Sequence, residues 1–321
     1  MMLLLGWRLR PVLVVFIGLP LLKPCLVVAS VGDTSYDFQY CLHNCVEEWS
    51  GTKYPQNQID LHLRWLGWTP EEDCQYTCMH AVTEKDVQRG RKIRQFYGKW
   101  PFIRIAGVQE PASVFASILN AWAHLTGLQQ FTTNTPERYR LRELWMAWSL
   151  FSVNAWVWSS IFHCRDTPFT EKMDYFSATA VILVQTYAAA RHTNWIRRKN
   201  WIFPLALTCF FVYHICYLTF RHRFDYSYNM VAMVTLSVVH SLWWLIWCVL
   251  SYRDKPHVRL CVAAIALAGV FMAFEVFDFA PLWGHIDAHC LWHFGTVPVA
   301  ILWYRFLILD AQQTVDVEHG D

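Results

Sequence analysis

Residues 143–190 read ELWMAWSLFSVNAWVWSSIFHCRDTPFTEKMDYFSATAVILVQTYAAA. This stretch holds two apolar runs, 143–163 and 173–190, each about long enough to cross a bilayer as a helix, joined by a short polar connection. Five more such runs lie at 111–131, 201–220, 230–250, 258–280 and 287–309, so the expected fold is an all-α membrane protein with a seven-transmembrane helix bundle over residues 111–309. Four of the runs are interrupted by polar residues, the first by Asn120 and His124. Composition agrees. Over 321 residues, 55% apolar, 17% aromatic and only 16% charged is too apolar for one or two soluble domains. A formal charge of +2 gives no global signature for nucleic-acid binding, so the basic residues matter by position.

Upstream, residues 1–30 combine Arg8 and Arg10, an apolar run over 12–22, and small residues at Ala29 and Ser30, the pattern of a secretory signal peptide. An uncleaved signal anchor is the alternative, and both readings send the start of the chain to the secretory pathway. Residues 31–110 have the composition of a small soluble domain, luminal on this reading. In it Cys41 and Cys45, and again Cys74 and Cys78, are spaced C-x3-C, which places each pair on one face of a short helix. Disulfides are expected in an oxidising compartment, a zinc site is the rival, and the pairing is left open by sequence.

With that domain luminal, the connections after the first, third and fifth runs face the cytosol. They carry Arg138, Arg140 and Arg142, then Arg191, Arg197, Arg198 and Lys199, then Arg253, Lys255 and Arg259. The opposite connections hold only Arg165, Lys172, Arg221 and Arg223, so loop charge predicts a luminal N-terminus and a cytosolic tail over residues 310–321. The basic stretch 85–104 runs against this bias; it reads as a solvated, membrane-apposed face or as a contact for lipid phosphates.

Ionisable groups inside spans are costly and therefore informative. Ser159 and His163 close the second run as S-x3-H, Asp174 opens the third, and His289 and His293 open the seventh as H-x3-H. Residues four apart share a helical face, and the alternating topology puts all five at one depth on the luminal side. Three neutral imidazoles form a sound zinc set with a fourth position open for water, the arrangement of a catalytic site. Glu275 and Asp278, near the luminal end of the sixth run, are candidates for a carboxylate that orients a ligand imidazole; the alternative is a helix-end carboxylate at the interface. His124, His214 and His240 read as packing or hydrogen-bonding residues, His285 as a loop residue, and the tryptophans, Trp145, Trp148, Trp156 and Trp158 among them, as interfacial and packing material.

The segment NAWVWSSIFHCRDTPFTEKMDYFSA (154–178), together with GKWPF, QEPAS, RFDYSYN and DAHCLWH, resembles the Per1-like family, the post-GPI-attachment-to-proteins phospholipases. The resemblance extends to the CREST superfamily of seven-helix membrane hydrolases, whose S-x3-H, Asp and H-x3-H pattern falls on Ser159, His163, Asp174, His289 and His293. It implies zinc on the three histidines, Asp174 orienting or deprotonating water, and Ser159 donating a hydrogen bond to the oxyanion or the water; an acylated Ser159 is the disfavoured alternative. The implied substrate is the GPI anchor of a protein, losing its sn-2 acyl chain during lipid remodelling. Ceramidase-like amide hydrolysis, an adipoQ-type receptor and a non-enzymatic escort for GPI-anchored cargo are the competing functions. The C-terminal VEHGD carries neither a KDEL-type nor a dilysine signal, so the Golgi is expected, with the endoplasmic reticulum as alternative. Oligomeric state is not encoded legibly.

Overall fold

A computed structural model describes residues 30–50, 59–195, 200–221 and 224–317. The segment read as a signal peptide, apart from Ser30, lies outside the described residues, as do Arg197, Arg198, Lys199, Arg223 and the last four residues. Among the described residues the chain is all-helical with no strand: α1 Tyr36–Ser50, α2 Leu61–Trp65, α3 Pro70–Gln88, α4 Pro111–Asn134, α5 Arg142–Cys164, α6 Pro168–His192, α7 Ile202–Thr219, α8 Tyr226–Ser251, α9 Val258–Val276 and α10 Ala288–Val317.

The first three helices build the small domain. A capping box starts α3: Thr69 accepts from the Glu72 amide, Glu72 accepts from the Thr69 amide, and Pro70 occupies the first turn, where no amide donor is needed. Disulfides join Cys41 to Cys78 and Cys45 to Cys74, with Cα atoms 5.7 and 5.8 Å apart. This nested pairing follows from packing α1 antiparallel to α3, since a step of four residues forward on one helix meets a step of four back on the other. Phe38, Val82 and Phe96 fill the space beside the bridges.

Beyond α3 the chain makes two tight turns, closed by bridges between Phe96 and Lys99 and between Ile105 and Val108. Both central residues of each turn have positive φ, 52° and 82° at Tyr97 and Gly98, 50° and 84° at Ala106 and Gly107. Such turns need glycine in at least one central position, because a Cβ there is strained. Part of the basic stretch 85–104 is taken up by the fold, while Lys85, Arg89, Arg91 and Lys92 stay exposed as a solvated face. Arg94 pairs with buried Asp86 at 2.6 Å, and Arg104 pairs with Asp73 while its guanidinium lies 3.5 Å over the Trp68 ring.

The remaining helices coincide with the seven apolar runs. Three, Ile202–Thr219, Tyr226–Ser251 and Ala288–Val315, are long and apolar enough to cross a membrane on length and composition alone. Of the others, the apolar part of α9, Val258–Phe274, is shorter, while α4 and α5 carry more polar residues, and these are buried. On α4, Ser113, Ser117 and Asn120 are fully buried while Phe115, Ile118, Trp122 and Leu125 are half or more exposed. A soluble helix shows the reverse polarity. Trp145, Trp148, Trp244 and Trp303 are buried together between helices, so these four are core residues and not an interfacial belt. The last helix continues past its apolar run, and Asp310, expected to begin a tail, is 1% exposed within α10.

Candidate active site

The last turn of α5 carries His163, and the chain entering α4 grips it twice. The Glu110 amide donates to the His163 carbonyl at 3.0 Å, with the Gln109 amide on Cys164 beside it, so carbonyls that a helix end leaves unpaired are satisfied. The Glu110 carboxylate meets His163 Nδ1 at 2.7 Å. With Nδ1–H donating to that carboxylate, Nε2 keeps its lone pair, and Nε2 is buried without a hydrogen-bond partner. Burial pushes the Glu110 carboxyl up, but His163 against it and Lys99 at 3.9 Å outweigh burial and hold it down to about 2.

Asp287 caps the start of α10 through the Cys290 amide at 2.8 Å, and the helix then presents His289 and His293 one turn apart. Their Nε2 atoms lie 2.8 Å from each other. Two ring lone pairs at that distance repel unless a proton or a cation lies between them. Ligand atoms of His163, His289 and His293 all fall within 4.8 Å of one another, so the three sequence-predicted imidazoles do converge. The set fits a zinc ion on its own chemistry: two of the imidazoles have Nδ1 engaged by a neighbouring oxygen, which turns Nε2 toward the common centre, and one of those Nε2 atoms is orphaned in a buried position.

Ser159 is buried one turn before His163 and reaches the site through Ser117 of α4. Ser117 Oγ lies 3.1 Å from Ser159 Oγ and 2.9 Å from His293 Nδ1. Asn120, one turn further along α4, donates to the His293 carbonyl at 2.7 Å and accepts from Thr296 at 3.0 Å. Asp174 on α6 interacts electrostatically with His163, His289, Lys99 and Glu110 and is not one of the converging ligands. Lys99 comes from the small domain, pairs with Asp166 and Glu110, and stands 4.1 Å over the Phe162 ring, so that domain forms part of the site's wall.

Asp278 is placed elsewhere: it is exposed and accepts from Gln95 and Trp100 at 2.9 and 2.8 Å, tying the loop after α9 to the small domain. Among the described residues, Glu110 is a carboxylate that meets a triad imidazole, His163. The side chain of Glu275 lies outside the described residues. His124 meets Tyr304 and His214 meets Thr179 and Tyr228, while His240 lies among Trp244 and Trp303, all three away from the triad. Ser117 carries a readable sequence signal, lying on the polar stripe Ser113, Ser117, Asn120, His124 at helical spacing, whereas Glu110, just before the span, carries none that names its partner.

No solved structure matches the chain. Among curated relatives, a protein of Cricetulus griseus named GPI-specific phospholipase A2-like PGAP3 is 39% identical over 287 residues, covering 88% of this chain and 89% of its own. The Homo sapiens protein of the same name is 38% identical over 287 residues, with 88% and 89% covered. A Drosophila melanogaster protein, Post-GPI attachment to proteins factor 3, is 34% identical over 301 residues, with 89% and 90% covered. The Per1-like family matches over residues 60–311, from the second helix of the small domain through the buried Asp310, which takes in both histidine helices and Glu110. On these matches the chain belongs to the Per1-like family.

Proposed function

We propose that the chain is a GPI-specific phospholipase A2-type hydrolase that removes the sn-2 acyl chain from GPI-anchored proteins during lipid remodelling, with His163, His289 and His293 holding zinc. The observation that carries this reading is the convergence of three imidazoles from α5 and α10, one with an orphaned Nε2, beside a serine and a carboxylate. The names borne by the relatives supply the substrate. Zinc at this position supplies a Lewis acid and lowers the pKa of water to near neutrality.

The chain's own groups do the rest. Glu110 and Ser117 orient His163 and His293. Asp174 is the base that takes a proton from the attacking water, which adds to the sn-2 carbonyl carbon. Ser159, held by Ser117, donates a hydrogen bond to the oxygen that gains charge as the tetrahedral centre forms. Collapse breaks the ester C–O bond; the glycerol oxygen takes the proton, and a fatty acid and a lyso-GPI leave. No basic group contacts Ser159 directly among the described residues, its neighbour being another hydroxyl, which favours a hydrogen-bond donor over an acylated nucleophile.

All seven helices of 111–317 cross the membrane on this reading, with the small domain and the triad on the luminal side and the arginine-bearing connections in the cytosol. An ester at headgroup depth on a luminal cargo then meets the site, in the Golgi or, failing that, the endoplasmic reticulum. The test compares the detergent-purified parent with His289→Ala for metal content and for sn-2 deacylation of a GPI-anchored substrate. Near-stoichiometric zinc and cleavage, both lost in a folded variant, support the hydrolase. Folded parent protein that is free of zinc after zinc supplementation and inactive in several lipid conditions overturns it in favour of an escort or a receptor.

A further inference from the structure

At the far end of the bundle a second polar centre forms around Asp310. Asp310 follows His289 by 21 residues on one helix, about 32 Å along its axis at 1.5 Å per residue, which matches a hydrocarbon core of about 30 Å. The two centres therefore stand at opposite faces of the membrane. Asp310 accepts from Lys255 at 2.6 Å and lies 3.0 Å from His257 and 3.2 Å from His192, so α6 and the α8–α9 connection converge on one buried carboxylate of α10. Beside it is a cavity of about 160 Å³ lined by Arg140, His192, Asn194, Lys255, Asp310 and Thr314 among others. Water occupies about 30 Å³ per molecule, so the cavity has room for about five, or for the five heavy atoms of a phosphate group.

Charge selects the occupant. The carboxylate of Asp310 is already committed to its three partners, leaving Arg140 and Lys255 against a single negative charge. Arg140 is exposed, lines the cavity and hydrogen-bonds the Arg191 carbonyl at 3.3 Å, which uses one of its five N–H donors. His192 Nδ1 is buried with no partner among the described residues, so this wall carries an unsatisfied polar atom. The connections around this end carry Arg138, Arg142, Arg253 and Arg259 as well, and the loop-charge bias assigns this face to the cytosol, where anionic lipids concentrate.

We propose that this cavity is a binding site for the phosphate group of an anionic lipid headgroup in the cytosolic leaflet, built by Arg140, Lys255 and the polar ends of α6 and α10. It stands apart from the histidine site and does not depend on the reaction assigned there. The binding group is phosphate, so the experiment separates lipid from free ion. Detergent-purified full-length parent and Arg140→Ala are titrated at 150 mM salt with dioctanoyl phosphatidylinositol 4-phosphate, inorganic phosphate, and dioctanoyl phosphatidylcholine, reading the unfolding midpoint and the bound lipid by native mass spectrometry.

Saturable binding of the phosphoinositide, absent for phosphatidylcholine and about tenfold weaker in Arg140→Ala, is the expected result. Thr314→Ala, inside the cavity, should weaken it too while Arg138→Ala, outside it, should not. Saturable binding of inorganic phosphate alone replaces the lipid with a free anion and overturns the headgroup assignment. Absence of saturable binding by both anions, or binding unchanged in Arg140→Ala and Thr314→Ala, overturns the site.

Discussion

Glu110 is the residue whose removal tests the site most sharply. Its carboxylate is 5% exposed and lies 2.7 Å from His163 Nδ1, and its amide holds the carbonyl of the same histidine. Glu110→Gln keeps an oxygen that accepts the Nδ1–H bond and removes the charge; Glu110→Ala removes both and leaves a buried N–H unpaired. Carboxylates that orient ligand histidines are worth roughly 10–100-fold in metal affinity or activity, or about 1.4–2.7 kcal/mol. The alanine variant belongs at the upper end, with a further ~1–3 kcal/mol of fold stability lost to the unsatisfied imidazole. Glutamine belongs at the lower end, and Lys99 retains Asp166 in both. The assay is zinc affinity by competition against a chromophoric chelator, with sn-2 deacylation followed as zinc is raised. Activity lost in Glu110→Ala should return in part at high zinc. Asp278→Asn is the control, since its partners are Gln95 and Trp100, and it should leave zinc affinity unchanged. Folded Glu110→Ala with zinc affinity and turnover within twofold of the parent would refute the assignment of Glu110 as the orienting carboxylate.

Three other outcomes follow from the same geometry. Ser159→Ala should lower kcat about 10²–10³-fold with zinc content intact, and intact-mass analysis of quenched parent should reveal no acyl adduct; an adduct on Ser159 would make it the nucleophile. With the nested Cys45–Cys74 bridge intact, opening the Cys41–Cys78 bridge with paired serines releases only the ring between the two, 37 less 29 or 8 residues, and should cost roughly 2–3 kcal/mol by the chain-entropy relation, read as a drop in the unfolding midpoint of the small domain. Gly127→Val places a side chain where an added Cβ would stand 2.2 Å from the Tyr304 ring, forcing α4 and α10 apart; overpacking of this kind costs about 1–3 kcal/mol, visible as a lower thermal midpoint of the whole protein with the three histidines unchanged in sequence.

How much of this was legible without coordinates varies by kind of interaction. The triad was legible because helical spacing and alternating topology are local rules: H-x3-H and S-x3-H fix faces, and a count of spans fixes depth. The partner of His163 was not, because Glu110 is 53 residues away at the mouth of the most polar span, and nothing in spacing says which loop carboxylate a helix end will meet. Glu275 and Asp278 were the natural candidates by depth alone, yet depth leaves rotation and azimuth free, and Asp278 turns out toward the small domain. The cysteine pairing was open for the same reason, since two C-x3-C faces can be joined in parallel or antiparallel, and only the packing of α1 on α3 selects the nested bridges.

Hydropathy fails where helices bury polar residues. Helices α4 and α5 lose apolarity to Ser113, Ser117, Asn120, Ser149, Ser152 and Ser159, all buried, because small polar residues line their inner faces and apolar ones their outer faces. Asp310 is a further instance: an acidic residue just past an apolar run reads as the start of a tail, whereas two histidines and a lysine from other elements draw it inward. Where a helix is polar on its inner side and apolar on its outer side, the shortfall in its hydropathy is a map of what the interior does, and here that map traces α4 from the histidine site at one face toward the tyrosine and tryptophan core near the other.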